Sequence, residues 1–172
     1  MASETKSTPE PQAEPIRVSV AHPVVTPDAL AEIFAHALRE YPHECCGIIH
    51  GPRGAAIADR AVARVNVQDR LHAEDPVRYT RDARTAYNFD TKALFDLQRS
   101  LRGDNPAKII YHSHVEVGAY FSKEDSAAAL CEDEPWYPVE YVVIDVKSDG
   151  AKAAAQFAWD PQARAFVEVA RY

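Results

Sequence analysis

Lys108-Ile109-Ile110-Tyr111-His112-Ser113-His114-Val115-Glu116-Val117-Gly118-Ala119-Tyr120-Phe121-Ser122-Lys123-Glu124-Asp125 is the stretch around which the rest of the chain can be placed. Its apolar start reads as a short strand over 108–112 that leads straight into His112-Ser113-His114. Ser122 suits the N-cap of a helix over 123–131. Alternate residues of an extended segment point to one side, so the two imidazoles can converge, and a helix beginning at Ser122 can bring Asp125 back towards them. Two nitrogens and one carboxylate oxygen suit Zn²⁺. Three protein ligands leave a fourth tetrahedral position for water, the arrangement of a catalytic zinc site. The competing reading is a pair of loop histidines that meet nothing, a capping serine and a surface aspartate.

Upstream, residues 16–21 alternate apolar and polar as a half-buried strand does. Thr26 and Pro27 suit the N-cap and first position of a helix over 28–41, where Leu30, Ile33, Phe34, Ala37 and Leu38 form one apolar stripe and Pro42 stops the run. Residues 45–51 and 57–67 read as strands joined by a turn at Pro52-Arg53-Gly54, a hairpin. Residues 69–88 are polar with weak periodicity, apart from a candidate strand over 77–80. A helix over 91–101 follows, with Gly103 just beyond it as a candidate cap. Strands over 139–146, 153–159 and 165–169 close the domain; strands and helices mix without strict βαβ repetition, and there is no internal repeat.

Residues 1–15 are rich in Glu, Ser, Thr and Pro, too polar to offset the entropy of ordering, and read as a flexible tail before a single domain over 16–172. The 172 residues are 47% hydrophobic and 26% charged with a formal charge of −7, an ordinary globular balance without the basic surface that nucleic-acid binding needs. No apolar run approaches the roughly 20 residues of a membrane span, and no leader pattern opens the chain. Cys45, Cys46 and Cys131 do not form the spaced, even set of a disulfide-stapled domain. A cytoplasmic protein with reduced thiols is expected; Cys45 and Cys46, which lack CxxC spacing and sit in a strand-like stretch, read as small buried hydrophobes rather than as a nucleophile or metal thiolates.

Amide hydrolysis at a zinc site needs a base to take a proton from water and later deliver it to the leaving amine. Glu44, between the first helix and an apolar strand, is the candidate; the alternative is a solvated charge at a helix end. Ser122 has two open roles, donor to an oxyanion or cap of the helix carrying Asp125. His22, His36, His43, His50 and His72 lack metal-ligand spacing and read as surface or packing residues. Tyr87, Tyr120, Phe121, Trp136 and Tyr137 either line a groove or anchor loops. Arg78, Arg81 and Arg84 form either a solvated face or a partner for carboxylates.

Pro42-His43-Glu44-Cys45-Cys46-Gly47 resembles the glutamate-bearing motif of the JAMM/MPN+ metallopeptidases, and Tyr111-His112-Ser113-His114 with Ser122 and Asp125 resembles their zinc motif. The two together, in this order, extend the resemblance over about 16–159. It implies a curved mixed sheet flanked by helices, similar to cytidine deaminases. It also implies zinc held by His112, His114 and Asp125, acid/base catalysis by Glu44 and oxyanion stabilisation by Ser122. Residues 111–125 look most similar to the short bacterial branch that acts on ubiquitin-like sulfur-carrier proteins of β-grasp fold, removing cysteine or another adduct from a C-terminal Gly-Gly. Val115 stands where many eukaryotic deubiquitinating members carry proline, which points away from ubiquitin itself. The rival expectations are an isopeptidase that frees a ubiquitin-like protein from lysines, and a catalytically silent MPN scaffold.

Overall fold

Residues 21–172 are described by a computed structural model; the expected tail over 1–15 and the expected strand over 16–21, apart from Ala21, lie outside them. In chain order the elements are β1 (Val24–Val25), α1 (Pro27–Glu40), β2 (Cys46–His50), β3 (Ile57–Ala58), β4 (Arg60–Arg64), α2 (Gln68–Glu74) and α3 (Thr91–Ser100). They continue with β5 (Ala107–Val115), α4 (Lys123–Ala129), β6 (Leu130–Cys131), β7 (Glu134–Pro135), β8 (Glu140–Lys147), β9 (Gly150–Asp160) and β10 (Ala165–Arg171). Six strands form one sheet in the order β10-β9-β8-β5-β2-β4. Only the central β5–β8 pair is parallel; its neighbours run antiparallel. The mixed α/β architecture expected from the sequence is thus the observed one.

Helix α1 starts as its sequence predicts, with the Ala29 N–H donating to Thr26 Oγ1 at 3.4 Å and Pro27 in the first turn. Ala29, Ile33 and Ala37, one turn apart, are fully buried and cover one face of the sheet, where Ile109, Tyr111, Val142 and Ile144 join them in a single apolar cluster. Gly47 is what lets Tyr111 lie flat there: a Cβ at position 47 would sit 2.4 Å from the Tyr111 ring, so only hydrogen fits. The Tyr111 hydroxyl reaches 2.9 Å from His36 Nδ1, which makes His36 a satisfied packing residue.

On the opposite face, Ile48, Ile110 and Tyr141 of the strands pack with Leu97 of α3 and Ala129 of α4. Register decides this division. Cys46 pairs with His112 and Ile48 with Ile110 across β2–β5, and paired residues share a face, so His112 and His114 point away from α1.

Several sequence expectations are corrected. The strand expected over 57–67 is split at Asp59: Ile57 and Ala58 pair with Val24 and Val25, and only Arg60–Arg64 pairs with β2. The strand expected over 77–80 is absent; Val77 and Arg78 lie in a turn, Tyr79 and Thr80 are irregular, and residues 68–74 before them form the helix α2. The helix after Ser122 ends at Ala129, because Leu130–Cys131 pairs with Glu134–Pro135. Strand β5 runs on to Val115, so both histidines sit within a strand and the loop-histidine reading is excluded.

Candidate active site

Strand β5 fixes His112 and His114 two residues apart on the cavity face, and α4 delivers Asp125 to them. His112 Nε2 and His114 Nε2 lie 3.1 Å apart. Asp125 Oδ1 is 3.2 Å from His112 Nε2, and Asp125 Oδ2 is 3.3 Å from His114 Nε2. A tetrahedral zinc with bonds of about 2.0–2.1 Å separates its ligand atoms by about 3.3 Å, so the three residues stand near the spacing such an ion requires, each Asp125 oxygen facing one imidazole.

Electrostatics agree with the spacing. Burial alone would lower His114 and raise Asp125. The hydrogen bond and charge of Asp125 outweigh it at His114 and leave the imidazole above its ordinary pKa, while the charge and hydrogen bond of His112, then the bonds from His114 and Ser122, hold the Asp125 carboxyl well below the usual range. A pocket that holds a proton on histidine and strips one from aspartate favours positive charge, and the same field favours a cation. Fully buried His112 is pushed the other way, chiefly by burial, and stays a neutral imidazole, the form that ligates metal. His114 Nδ1 lies 3.2 Å from the Gly118 carbonyl. A carbonyl only accepts, so Nδ1 donates there, and when the ring is neutral, the form that ligates metal, Nε2 is the nitrogen left free.

Asp125 is presented by a capping box. The Asp125 N–H donates to Ser122 Oγ at 3.0 Å, while the Ser122 N–H and hydroxyl both donate to Asp125 Oδ2, at 2.8 and 2.7 Å. Of the two roles open to Ser122 in the sequence, capping is therefore visible in the geometry. Tyr87 stacks on His112 with ring centroids 4.6 Å apart, and Tyr120 meets His114 edge-on at 4.9 Å. Phe121 and Tyr137 pack with the apolar residues beneath, and Trp136 is exposed.

Glu44 lies in the link between α1 and β2, lining the same cavity as His114, Ser122 and Asp125. Only 6% exposed, its carboxyl is pushed up to about 7 by burial and by the Asp125 charge, against the pull of His114 and Arg81. It is not the solvated charge of the alternative reading. Cys45 and Cys46 are buried free thiols raised to about 12 and further, chiefly by burial, which removes them as nucleophiles.

The loop that holds Glu44 is organised by residues the sequence did not single out. Asn66 Nδ2 donates to the carbonyls of Glu44 and Ala86, both at 3.0 Å, and Asn66 Oδ1 accepts from the Gln68 and Asn88 N–H groups. Ala83 accepts from the Glu44 N–H at 2.7 Å and donates its own N–H to Asp69 at 2.7 Å. No periodic signal marks such a network. The arginines divide: Arg81 lines the cavity with Glu44, Arg84 joins both in a neighbouring pocket, and Arg78 lies over the Tyr79 ring.

Residues 26–160 match the model of the prokaryotic homologs of the JAB domain, Prok-JAB. The chain belongs to the Prok-JAB family. All five candidate site residues fall inside the matched region. Among relatives, the CysO-cysteine peptidases of Mycobacterium tuberculosis and Mycobacterium bovis are 27% identical over 125 residues, 72% of this chain and 73% of theirs. A solution structure of a Desulfitobacterium hafniense protein shares the fold with a TM-score of 0.60 at 19% identity, covering 84% of this chain and 88% of that one. A Salinibacter ruber protein does so with a TM-score of 0.53 at 20% identity, covering 85% and 88%. Among the described residues of this Prok-JAB chain, no helix is long and apolar enough to cross a membrane.

Proposed function

We propose that this Prok-JAB chain is a zinc-dependent peptidase that hydrolyses the bond after the C-terminal Gly-Gly of a ubiquitin-like sulfur carrier, releasing cysteine. The observation that carries the reading is the convergence of His112 Nε2, His114 Nε2 and the two Asp125 oxygens, each oxygen within 3.3 Å of one imidazole, beside a cavity that also holds buried Glu44. The likeness to CysO-cysteine peptidases supports the choice of carrier and adduct.

His112, His114 and Asp125 are the residues that hold zinc. Bound zinc supplies Lewis acidity, acidifying water and polarising a carbonyl. Glu44 accepts the proton of the attacking water and returns it to the leaving amine, a task for which a carboxyl raised to about 7 is well matched. Ser122 orients Asp125 through the capping box and adds a hydroxyl beside the reacting carbonyl. Arg81 in the cavity and Arg84 in the pocket beside it meet the carboxylate of the departing amino acid or acidic groups of the carrier. A Gly-Gly tail suits the narrow approach, since glycine brings backbone close where side chains would collide. Free Cys45, Cys46 and Cys131 support placing the reaction in the reducing cytoplasm.

Mass spectrometry of a carrier ending Gly-Gly-Cys, incubated with the zinc-loaded wild type and with Glu44→Gln, tests this. The expected result is loss of one cysteine with wild type only, and much slower cleavage of the isolated tail peptide, because the carrier's folded body contributes binding. Cleavage of carrier–lysine isopeptide conjugates with the cysteine adduct left intact would overturn the substrate. Inertness towards both would overturn the peptidase.

A further inference from the structure

Asp145 interrupts the apolar run of β8, whose Val142, Val143, Ile144 and Val146 are fully buried. At 9% exposure it is itself buried, and a carboxylate withdrawn from water is costly unless its lone pairs find donors. The sheet sets Asp145 in parallel register with His114, so both side chains stand on the cavity face.

Its bond goes to the loop that follows His114. The Gly118 N–H donates to Asp145 Oδ1 at 3.2 Å, and the Gly118 carbonyl lies 3.2 Å from His114 Nδ1 and accepts its proton. Gly118 has φ of 100°, a conformation glycine adopts without Cβ conflict. It can therefore aim its N–H at β8 and its carbonyl at the imidazole at once. Two hydrogen bonds in series connect the β8 carboxylate to a candidate metal ligand, through one residue with no side chain of its own.

We infer that Asp145 is a positioning residue for the metal centre: by anchoring Gly118 it holds His114 as the Nδ1–H tautomer, with Nε2 bare and turned towards His112 and Asp125. A neutral imidazole has one donor nitrogen and one acceptor nitrogen, and the partner of the first decides which nitrogen is free to ligate. Outer partners of this kind typically contribute 10–100-fold to metal affinity. The inference rests on the zinc reading above and adds to it a residue outside the sequence motifs.

Three measurements on the full chain test it: zinc affinity by competition with a chromophoric chelator, the urea midpoint of the metal-free protein, and two-bond ¹H–¹⁵N spectra of its histidine rings at a pH alkaline enough for His114 to be neutral. Asp145→Val suits an apolar strand but has no acceptor for Gly118. It is expected to bind zinc about 10–100-fold more weakly, with an equal or higher urea midpoint and His114 no longer held as the Nδ1–H tautomer. Asp145→Asn keeps an acceptor oxygen and is expected to stay within about threefold of wild type. Zinc affinity unchanged in Asp145→Val would overturn the inference. So would weakened affinity accompanied by a lower urea midpoint and an unaltered His114 tautomer, since that is a purely structural effect. If wild type itself binds no zinc, the zinc reading fails separately and the ring spectra decide Asp145 alone: a tautomer change in Asp145→Val upholds its role, and an unchanged tautomer ends it.

Discussion

On the α1 side of β5, Ile109 and Tyr111 join Ile33, Ala37 and Val142 in one apolar cluster. One residue along, on the opposite side, Ile110 packs beneath α3 and α4, and His112 and His114 turn towards Asp125. The backbone is the same and the side-chain period of two separates the roles. The first face can be filled with any hydrocarbon of suitable shape. The second gathers two imidazoles, the carboxyls of Glu44, Asp125 and Asp145 and a neighbouring arginine, groups whose withdrawal from water is tolerable only when charge and hydrogen bonds compensate it. The difference teaches where to expect stability and where to expect activity to respond to mutation.

The sharpest way to break the division is Glu44→Gln. The amide keeps the shape but cannot accept the water's proton, so kcat is expected to fall by about 10²–10⁴ with zinc retained. Near-normal turnover would remove Glu44 from the chemistry. The counterpart on the other face is Ile109→Ala, fully buried in the α1 cluster. It is expected to cost about 2–5 kcal/mol in urea unfolding while the zinc-loaded fraction that remains folded keeps its kcat. A selective loss of kcat at unchanged stability would contradict the two-face account.

A third comparison uses pH. In the metal-free protein the Glu44 carboxyl is raised from 4.5 to about 7. Below pH 4.5 it is protonated whether the chain is folded or not. Between 4.5 and 7 the unfolded chain releases the proton and the folded one keeps it, so stability falls as pH rises; above 7 the penalty is constant. At ~1.4 kcal/mol per pH unit this amounts to about 3 kcal/mol. Glu44→Gln should therefore gain stability over wild type on going from pH 4 to pH 8, by about that amount. A pH-independent difference would show that the carboxyl is not buried as described. The smallest effect on stability belongs to Ser122→Ala, which removes the cap of α4 at about 1 kcal/mol. If the hydroxyl also meets the oxyanion, kcat falls by roughly a hundredfold; unchanged kcat leaves Ser122 the cap alone.

What was legible in the sequence follows from the same two faces. The stripe of α1, the strand carrying the histidines and the Ser122–Asp125 step all have short-range signals, a period or a cap, and each is present, although Leu38 of the expected stripe is exposed and the strand runs on to Val115. The segment 66–88 does not. Its shape depends on Asn66, Gln68 and Asp69 bonding to backbone groups up to 22 residues away, and such partners leave no local pattern. The same limit hid the stacking of Tyr87 on His112 and the place of Asp145, which reads in sequence as a flaw in a good strand. The split at Asp59 was missed because β3 takes its partner from β1 at the start of the described chain, a choice made by tertiary contact.

The account stands on the claim that His112, His114 and Asp125 together hold a metal ion, and zinc stoichiometry tests it most directly. Elemental analysis of the purified, folded chain, alongside His114→Ala and a chelator-treated sample resupplied with zinc, is expected to give one zinc per wild-type chain. His114→Ala should carry none at comparable concentration, and resupply should restore the metal to wild type. A folded wild-type chain that holds no zinc and takes none up, or a His114→Ala chain that binds it as tightly as wild type, would contradict the account.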